Sequence, residues 1–139
     1  MAKYVYETRV RYNEVDSMGI VHNSIYYIYM ELARTDLVRH EGITYKEMEA
    51  AGVLIPVVES GCRFFTPARY DDLIRVETTV AYVKNASIRF EYTLKQADGK
   101  RIAKGYTVHA AVSSEFEVVT IPDEWRSIFD KYLESDTKR

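Results

Sequence analysis

The sequence predicts an α+β domain: one antiparallel five-stranded sheet wrapped around a long central helix. Two patterns and a match of lengths carry this. From Ser24 to Ala33 the chain is apolar or aromatic almost throughout, with Glu31 as its one charge. Five other stretches alternate apolar and polar residues, the pattern of strands with one buried face. A helix over Ser24–Glu41 would be ~27 Å long at ~1.5 Å per residue, and strands of about ten residues would run ~33 Å. Elements of matched length can cover each other's apolar surface.

The helix has two apolar stripes: Tyr26, Met30, Ala33 and Leu37, and beside them Ile25, Ile28 or Tyr29, and Leu32. A surface helix normally shows one, so burial on several sides is expected. Asn23 or Ser24 is the expected N-cap and Gly42 the stop. Arg34, Asp36, Arg39, His40 and Glu41 bring the far end to water. With Glu31 they interrupt the run too early for a membrane span, which needs ~20 apolar residues.

Taken in order, Tyr4–Tyr12 alternates as a half-buried strand, and a loop from Asn13 to His22 leads into the helix. Thr44–Ala51 reads as a short helix with a capping box, Thr44 with Glu47, stopped by Gly52. Leu54–Phe65 reads as a strand entered through Pro56, where Gly61 marks a bulge or a close backbone approach. Thr66–Asp72 is a turn cluster. Strands follow over Leu73–Val83, Ser87–Lys95 and Arg101–Ser113, with Asp98-Gly99 as a two-residue hairpin turn. A closing helix over Trp125–Leu133 begins at Pro122-Asp123. The last four strands are expected in meander order, and the polar residues 135–139 are expected to fray. The convex face of so extended a sheet calls for a second copy of the chain.

Composition narrows the function. The 139 residues suit one domain over 1–139. Charges of both signs are interspersed and the net charge is −2, which argues against a nucleic-acid groove, and no polybasic run marks a membrane surface. The single cysteine, Cys62, excludes an internal disulfide framework and a Cys-rich metal site. No apolar secretory region opens the chain, so a cytoplasmic location is expected. The 12 tyrosines suggest rings at interfaces or around a pocket.

Four features occur together: Val15 to Tyr26 (VDSMGIVHNSIY), the helix continuing through Met30-Glu31-Leu32-Ala33-Arg34, and Phe64 to Asp72 (FFTPARYDD), all preceded by a strand. Together they resemble the hotdog-fold acyl-CoA thioesterases, within the 4-hydroxybenzoyl-CoA thioesterase family. The similarity runs from about Tyr6 to Pro122. The resemblance implies a hotdog fold, an acyl-CoA substrate, no metal and no cofactor beyond the coenzyme A of the substrate. It also implies a homodimer with interfacial sites, often assembled into a homotetramer. It makes Asp16 the catalytic carboxylate and the Asn23 backbone N–H the donor to the thioester carbonyl. Many short-chain members carry a histidine where this chain has Asn23, with His22 before it, so only the backbone role carries over.

Thioester hydrolysis needs oxygen delivered to the carbonyl carbon and stabilisation of the oxyanion that forms. The unpaired N–H groups and positive dipole end of a helix supply the second. Asp16 would supply the first, either attacking directly or activating a water. Gly19 would let the loop turn close to the acyl group. Val21, His22, Ser24, Tyr26 and Glu59 complete the expected substrate-binding set. For His22 the plainer reading, a loop histidine at the pocket mouth, is preferred to a general base. For Glu59 a solvated strand charge or an ion pair with Arg63 is preferred to a role in the partner's site. His109 reads as a structural histidine, Cys62 as a small apolar residue, and Asp71 and Asp72 as turn organisers. Lys84, Arg89 and Lys104 are unranked candidates for the coenzyme's phosphates. The alternatives are a hotdog dehydratase, whose G-H-F-P type motif is absent, and a non-catalytic acyl-CoA-binding module, which would not need Asp16.

Overall fold

The computed structural model describes residues 2–134, so the expected fraying of 135–139 lies outside the described residues. The central helix, α1, runs over Asn23–His40 and ends at Gly42, whose φ of +94° suits a residue without a Cβ. Its N-cap is neither Asn23 nor Ser24. It is His22, whose Nδ1 accepts the Ser24 N–H at 3.2 Å. An imidazole nitrogen does here what a short oxygen-bearing side chain usually does.

Five strands, β1 (Tyr4–Arg9), β2 (Val57–Phe64), β3 (Leu73–Val83), β4 (Ser87–Gln96) and β5 (Arg101–Ala110), form one antiparallel sheet in the order β1-β3-β4-β5-β2. The fold is the expected hotdog, but the order corrects the expected meander. Only β3-β4-β5 meander; β2 leaves the sequence order to pair with β5 at the far edge. β1 stops at Arg9, and Tyr12–Glu14 form a 3-10 turn that leaves Tyr12 exposed. The Asp98-Gly99 turn also differs from expectation: the loop has three residues, Ala97 to Gly99, closed by Gln96 N–H on the Lys100 carbonyl at 2.9 Å. Of these only Gly99 is left-handed, whereas a two-residue type I′ turn needs two such residues.

The inner face of the sheet carries Ile74, Val76, Val80, Ile88, Phe90, Tyr92 and Leu94, which pack with Tyr26, Tyr29, Met30, Ala33 and Leu37 of α1 in one buried core. Gly105 of β5 allows closest approach, since a Cβ there would lie 2.7 Å from Met30 Cε. The helix is not sheathed on every side within one chain, as its two apolar stripes suggested. Tyr27 and Ile28 stay 37% and 44% exposed, beside Glu31. Two short helices, α2 (Tyr45–Ala50) and α3 (Asp123–Asp130), close the ends. α2 begins on the expected capping box: Glu47 N–H donates to Thr44 Oγ1 at 3.1 Å, and Thr44 N–H to Glu47 Oε1 at 2.9 Å. α3 starts two residues before Trp125 and buries Trp125 and Phe129. No helix among the described residues is long and apolar enough to cross a membrane.

Candidate active site

The loop before α1 is a tight, hydrogen-bonded reversal. Asp16 N–H donates to the Ile20 carbonyl, Gly19 N–H to the Asp16 carbonyl, and Val21 N–H to the Ala68 carbonyl, each at 2.9 Å. Gly19 sits at φ +81°, a conformation that costs other residues strain. The half-buried Asp16 side chain accepts the Met18 N–H through Oδ1 at 2.9 Å. That bond fixes the direction of the carboxylate, and Oδ2 has no hydrogen-bond partner among the described residues.

Asp16, Asn23, Val21 and Tyr26 line one cleft of about 400 Å³, together with Met18, Ile20, Phe64, Phe65, Thr66 and Pro67. Asn23 is the first residue of α1, and its N–H has no acceptor among the described residues. The site therefore sets a carboxylate and an unsatisfied helix-start donor among mostly apolar walls. A fixed dipole at that point favours the negative charge that develops on a carbonyl oxygen. Tyr26 is buried; its ring packs 5.2 Å from Phe64, and its hydroxyl oxygen accepts the Ala68 N–H at 3.4 Å. Burial raises the Tyr26 pKa, so the phenol stays protonated.

Other expected residues stand elsewhere. His22 and Ser24 are exposed and bonded to each other at the helix cap, Nδ1 to Oγ at 2.8 Å. Glu59 is exposed on the outer face of β2. It accepts the Tyr106 hydroxyl at 2.7 Å and makes no ion pair with Arg63. His109 is buried, with Nδ1 at 3.0 Å from the Ile55 carbonyl and Nε2 at 2.8 Å from Thr107 Oγ1. Burial and the nearby Arg34 charge lower its pKa to about 4, so it is neutral and structural. Burial pushes the Cys62 thiol up to about 11, which leaves little thiolate for nucleophilic chemistry. Asp71 and Asp72 do organise their turn: Asp72 Oδ2 accepts Arg69 N–H at 2.9 Å, and Asp71 sits at φ +72°.

The residue that sequence reasoning passed over is Glu14. It is 4% exposed, although it stands two positions before Asp16. Its Oε1 accepts the Tyr29 hydroxyl at 2.7 Å and the Arg11 N–H at 2.8 Å, while Oε2 meets the Arg11 guanidinium at 2.9 Å. Its own carbonyl accepts the His22 N–H at 3.0 Å. Glu14 thus ties the loop to the helix through both its side chain and its backbone. Burial raises its pKa, but the Arg11 N–H, the Tyr29 hydroxyl and the Arg11 charge outweigh this and hold it below the ordinary carboxylate value. The Arg11-x-x-Glu14 spacing was the available signal.

A model of the thioesterase-like superfamily matches residues 10–129. The chain belongs to this superfamily. Within the thioesterase-like proteins, the YneP protein of Bacillus subtilis is 32% identical over 130 residues, covering 90% of this chain and 94% of its own. The acyl-CoA thioesterase YbgC of Haemophilus influenzae is 30% identical over 128 residues, covering 91% of this chain and 93% of its own. A crystal structure from Aquifex aeolicus matches with a TM-score of 0.87 at 30% identity, covering 91% of this chain and 98% of that one.

Proposed function

We propose that this chain is an acyl-CoA thioester hydrolase in which Asp16 and the start of α1 act on opposite ends of the thioester carbonyl. The observation that carries the reading is the cleft itself: a carboxylate with one free oxygen and a helix-start N–H without an acceptor line the same apolar pocket. The acyl carbonyl oxygen accepts the Asn23 N–H, where the helix dipole favours negative charge. Asp16 then delivers oxygen to the carbonyl carbon. In direct attack its carboxylate bonds to the acyl carbon, the C–S bond breaks, and coenzyme A leaves as thiolate; water next hydrolyses the mixed anhydride. In the general-base route Asp16 takes a proton from the water that attacks the acyl carbon, the C–S bond then breaks, and the proton passes to the leaving coenzyme A thiolate. Phe64, Phe65 and Met18 line the cleft but stand 48%, 42% and 72% exposed in the single chain, so a second copy has to complete the exclusion of water; in a site so closed, a single positioned donor contributes ~3 kcal/mol to barrier lowering.

The working form we propose is a homodimer or a tetramer built from it. β2 is an edge strand with Val57 and Val58 exposed at 43% and 60%, and its last residue, Phe64, lines the cleft. A second copy on that edge would pair open backbone groups and wall off the cleft. Asp16→Asn should fold and bind acyl-CoA while hydrolysis falls by about a thousandfold or more. Full turnover by that variant would remove Asp16 from the chemistry. Repeated turnover in oxygen-18 water tests the direct route, because label appears in the Asp16 carboxylate only when an anhydride forms and water attacks its aspartyl carbonyl, whereas the general-base route leaves Asp16 unlabelled.

A further inference from the structure

We propose that the outer face of the sheet, next to the Asp16 cleft, holds the docking groove for the phosphates of coenzyme A, and that Arg63, Arg101 and Lys104 are its cations. This rests on the acyl-CoA reading above and adds the part of the substrate that the cleft does not hold. The groove is a concavity of about 570 Å³ floored by Gly61 and Gly105, with Tyr106 and Phe65 among its walls. Phe65 also lines the Asp16 cleft, so the two depressions adjoin. A thioester in the cleft would have its carrier arm leave past Phe65, toward the cations.

The charge arrangement is costly to the sheet itself. Antiparallel pairing sets Arg63 directly opposite Lys104, and Arg101 directly opposite Lys95. Like charges facing across a ladder destabilise it. Lys95 is compensated by Glu77 at 3.2 Å, whereas Arg63, Arg101 and Lys104 have no ion-pair partner among the described residues. A local conflict of this kind, with no ion pair to relieve it beside a candidate active site, marks a place built for a ligand. The aromatic rings sharpen it. The Arg101 guanidinium lies 4.3 Å from the Phe65 ring centroid, a stack that fixes the plane of the fork and leaves its N–H edge free for an oxyanion.

The two carboxylates nearby are already engaged. Glu91 bonds Arg89 at 3.1 Å and lies within electrostatic reach of Lys104 without forming an ion pair to it, and Glu59 accepts the Tyr106 hydroxyl. Arg89 in turn stacks 3.9 Å over Tyr106 and serves the wall more than the ligand. Lys84 sits over the Tyr82 ring at 4.6 Å and does not line the groove. Three cations without an ion pair, in a concavity of this size, fit the clustered diphosphate and ribose phosphate of coenzyme A. An acidic carrier protein would need a broad, flat basic surface, and the chain has a net charge of −2.

The test is a binding titration that does not depend on turnover. Free coenzyme A and pantetheine, which lacks the phosphates, are titrated into the wild type and into the double variant Arg63→Ala, Lys104→Ala. The variant should lose about tenfold or more in coenzyme A affinity, with a weaker dependence on salt, while its affinity for pantetheine stays that of the wild type. Both residues are exposed and removing a facing like-charge pair relieves repulsion, so the thermal midpoint should hold or rise. Unchanged coenzyme A affinity in the folded variant, an equal loss for pantetheine, or a wild type that binds both alike would overturn the groove. So would a variant impaired on acyl-carrier-protein thioesters but not on acyl-CoA. A wild type that binds coenzyme A yet hydrolyses no acyl-CoA would sink the hydrolase reading and leave the groove standing.

Discussion

Replacing Glu14 with alanine should damage stability and catalysis together, and the pair Glu14–Tyr29 shows why. Tyr29 is fully buried, and its hydroxyl donates to Glu14 at 2.7 Å. Without the carboxylate that hydroxyl is stranded in the core, which costs about 1–3 kcal/mol. The Arg11 N–H loses its acceptor as well. The emptied volume adds to this, for a total of roughly 2–5 kcal/mol. The Arg11 guanidinium is exposed and screened by water, so its ion pair adds little. The stranded hydroxyl contributes most, and a double-mutant cycle isolates it. Tyr29→Phe alone removes a good hydrogen bond; placed on Glu14→Ala it removes a stranded donor instead and should restore part of the lost stability. Urea denaturation of the four proteins measures the cycle. In activity, kcat should fall by about a hundredfold as the Asp16 loop and the His22 cap loosen, since small misplacements cost that much. If Glu14→Ala were as stable as wild type, or if Tyr29→Phe cost the same in both backgrounds, the reading of Glu14 as the tie between loop and helix would be wrong.

Three further outcomes follow from the same geometry. His109 has a folded pKa of about 4 against an ordinary 6.5, so between those values the unfolded chain takes up a proton that the folded chain refuses. Stability should fall as pH drops through that window, by up to about 3 kcal/mol at its lower end, and His109→Gln should flatten the slope in a pH series of denaturation curves. Gly61→Ala would place a Cβ 2.6 Å from Tyr106 Cε1; the ring must move, the Glu59 bond and the Arg89 stack go with it, and stability should drop by about 1–3 kcal/mol in the same assay. Val58→Asp on the open β2 edge should shift sedimentation toward the monomer and depress turnover, whereas a dimer that survives it would place the contact elsewhere.

Local patterns carried most of the fold. The alternation in Leu73–Val83 matches β3 to the residue, because a strand buried on one face and solvated on the other writes its period directly into the sequence. The capping box at Thr44 was equally legible, since both partners lie within one turn. What failed was non-local or competitive. The position of β2 beside β5 depends on which edge is open after the meander forms, and nothing in Val57–Phe64 names its neighbour. The His22 cap was missed because Asn23 and Ser24 have the better general preference, and a histidine nitrogen with the right reach displaced them. The end of β1 at Arg9 reflects the turn that Glu14 needs in order to fold its carboxylate inward.

The candidate site divides along the same line. Asp16, Val21 and Asn23 belong to one continuous motif, so their meeting in a cleft is a local event that sequence can anticipate, with Gly19 turning the loop between them. Phe64, Phe65, Thr66 and Pro67 come from the far end of β2, and only the sheet order brings them across. Glu14 shows a third case. A charged residue in a stretch full of charges looks solvated until its burial is known, and then its three partners become obligatory, because a buried carboxylate must be compensated. The cations of the outer face are the reverse: their side chains look ordinary one at a time, and only the register that sets Arg63 against Lys104 turns them into a conflict. Burying charge at Glu14 and crowding it at Arg63 both carry an electrostatic cost, which the partners of Glu14 offset; Glu14 stands two residues before Asp16, and Arg63 two residues before Phe65. A fold indifferent to its ligand would have no reason to concentrate those costs there.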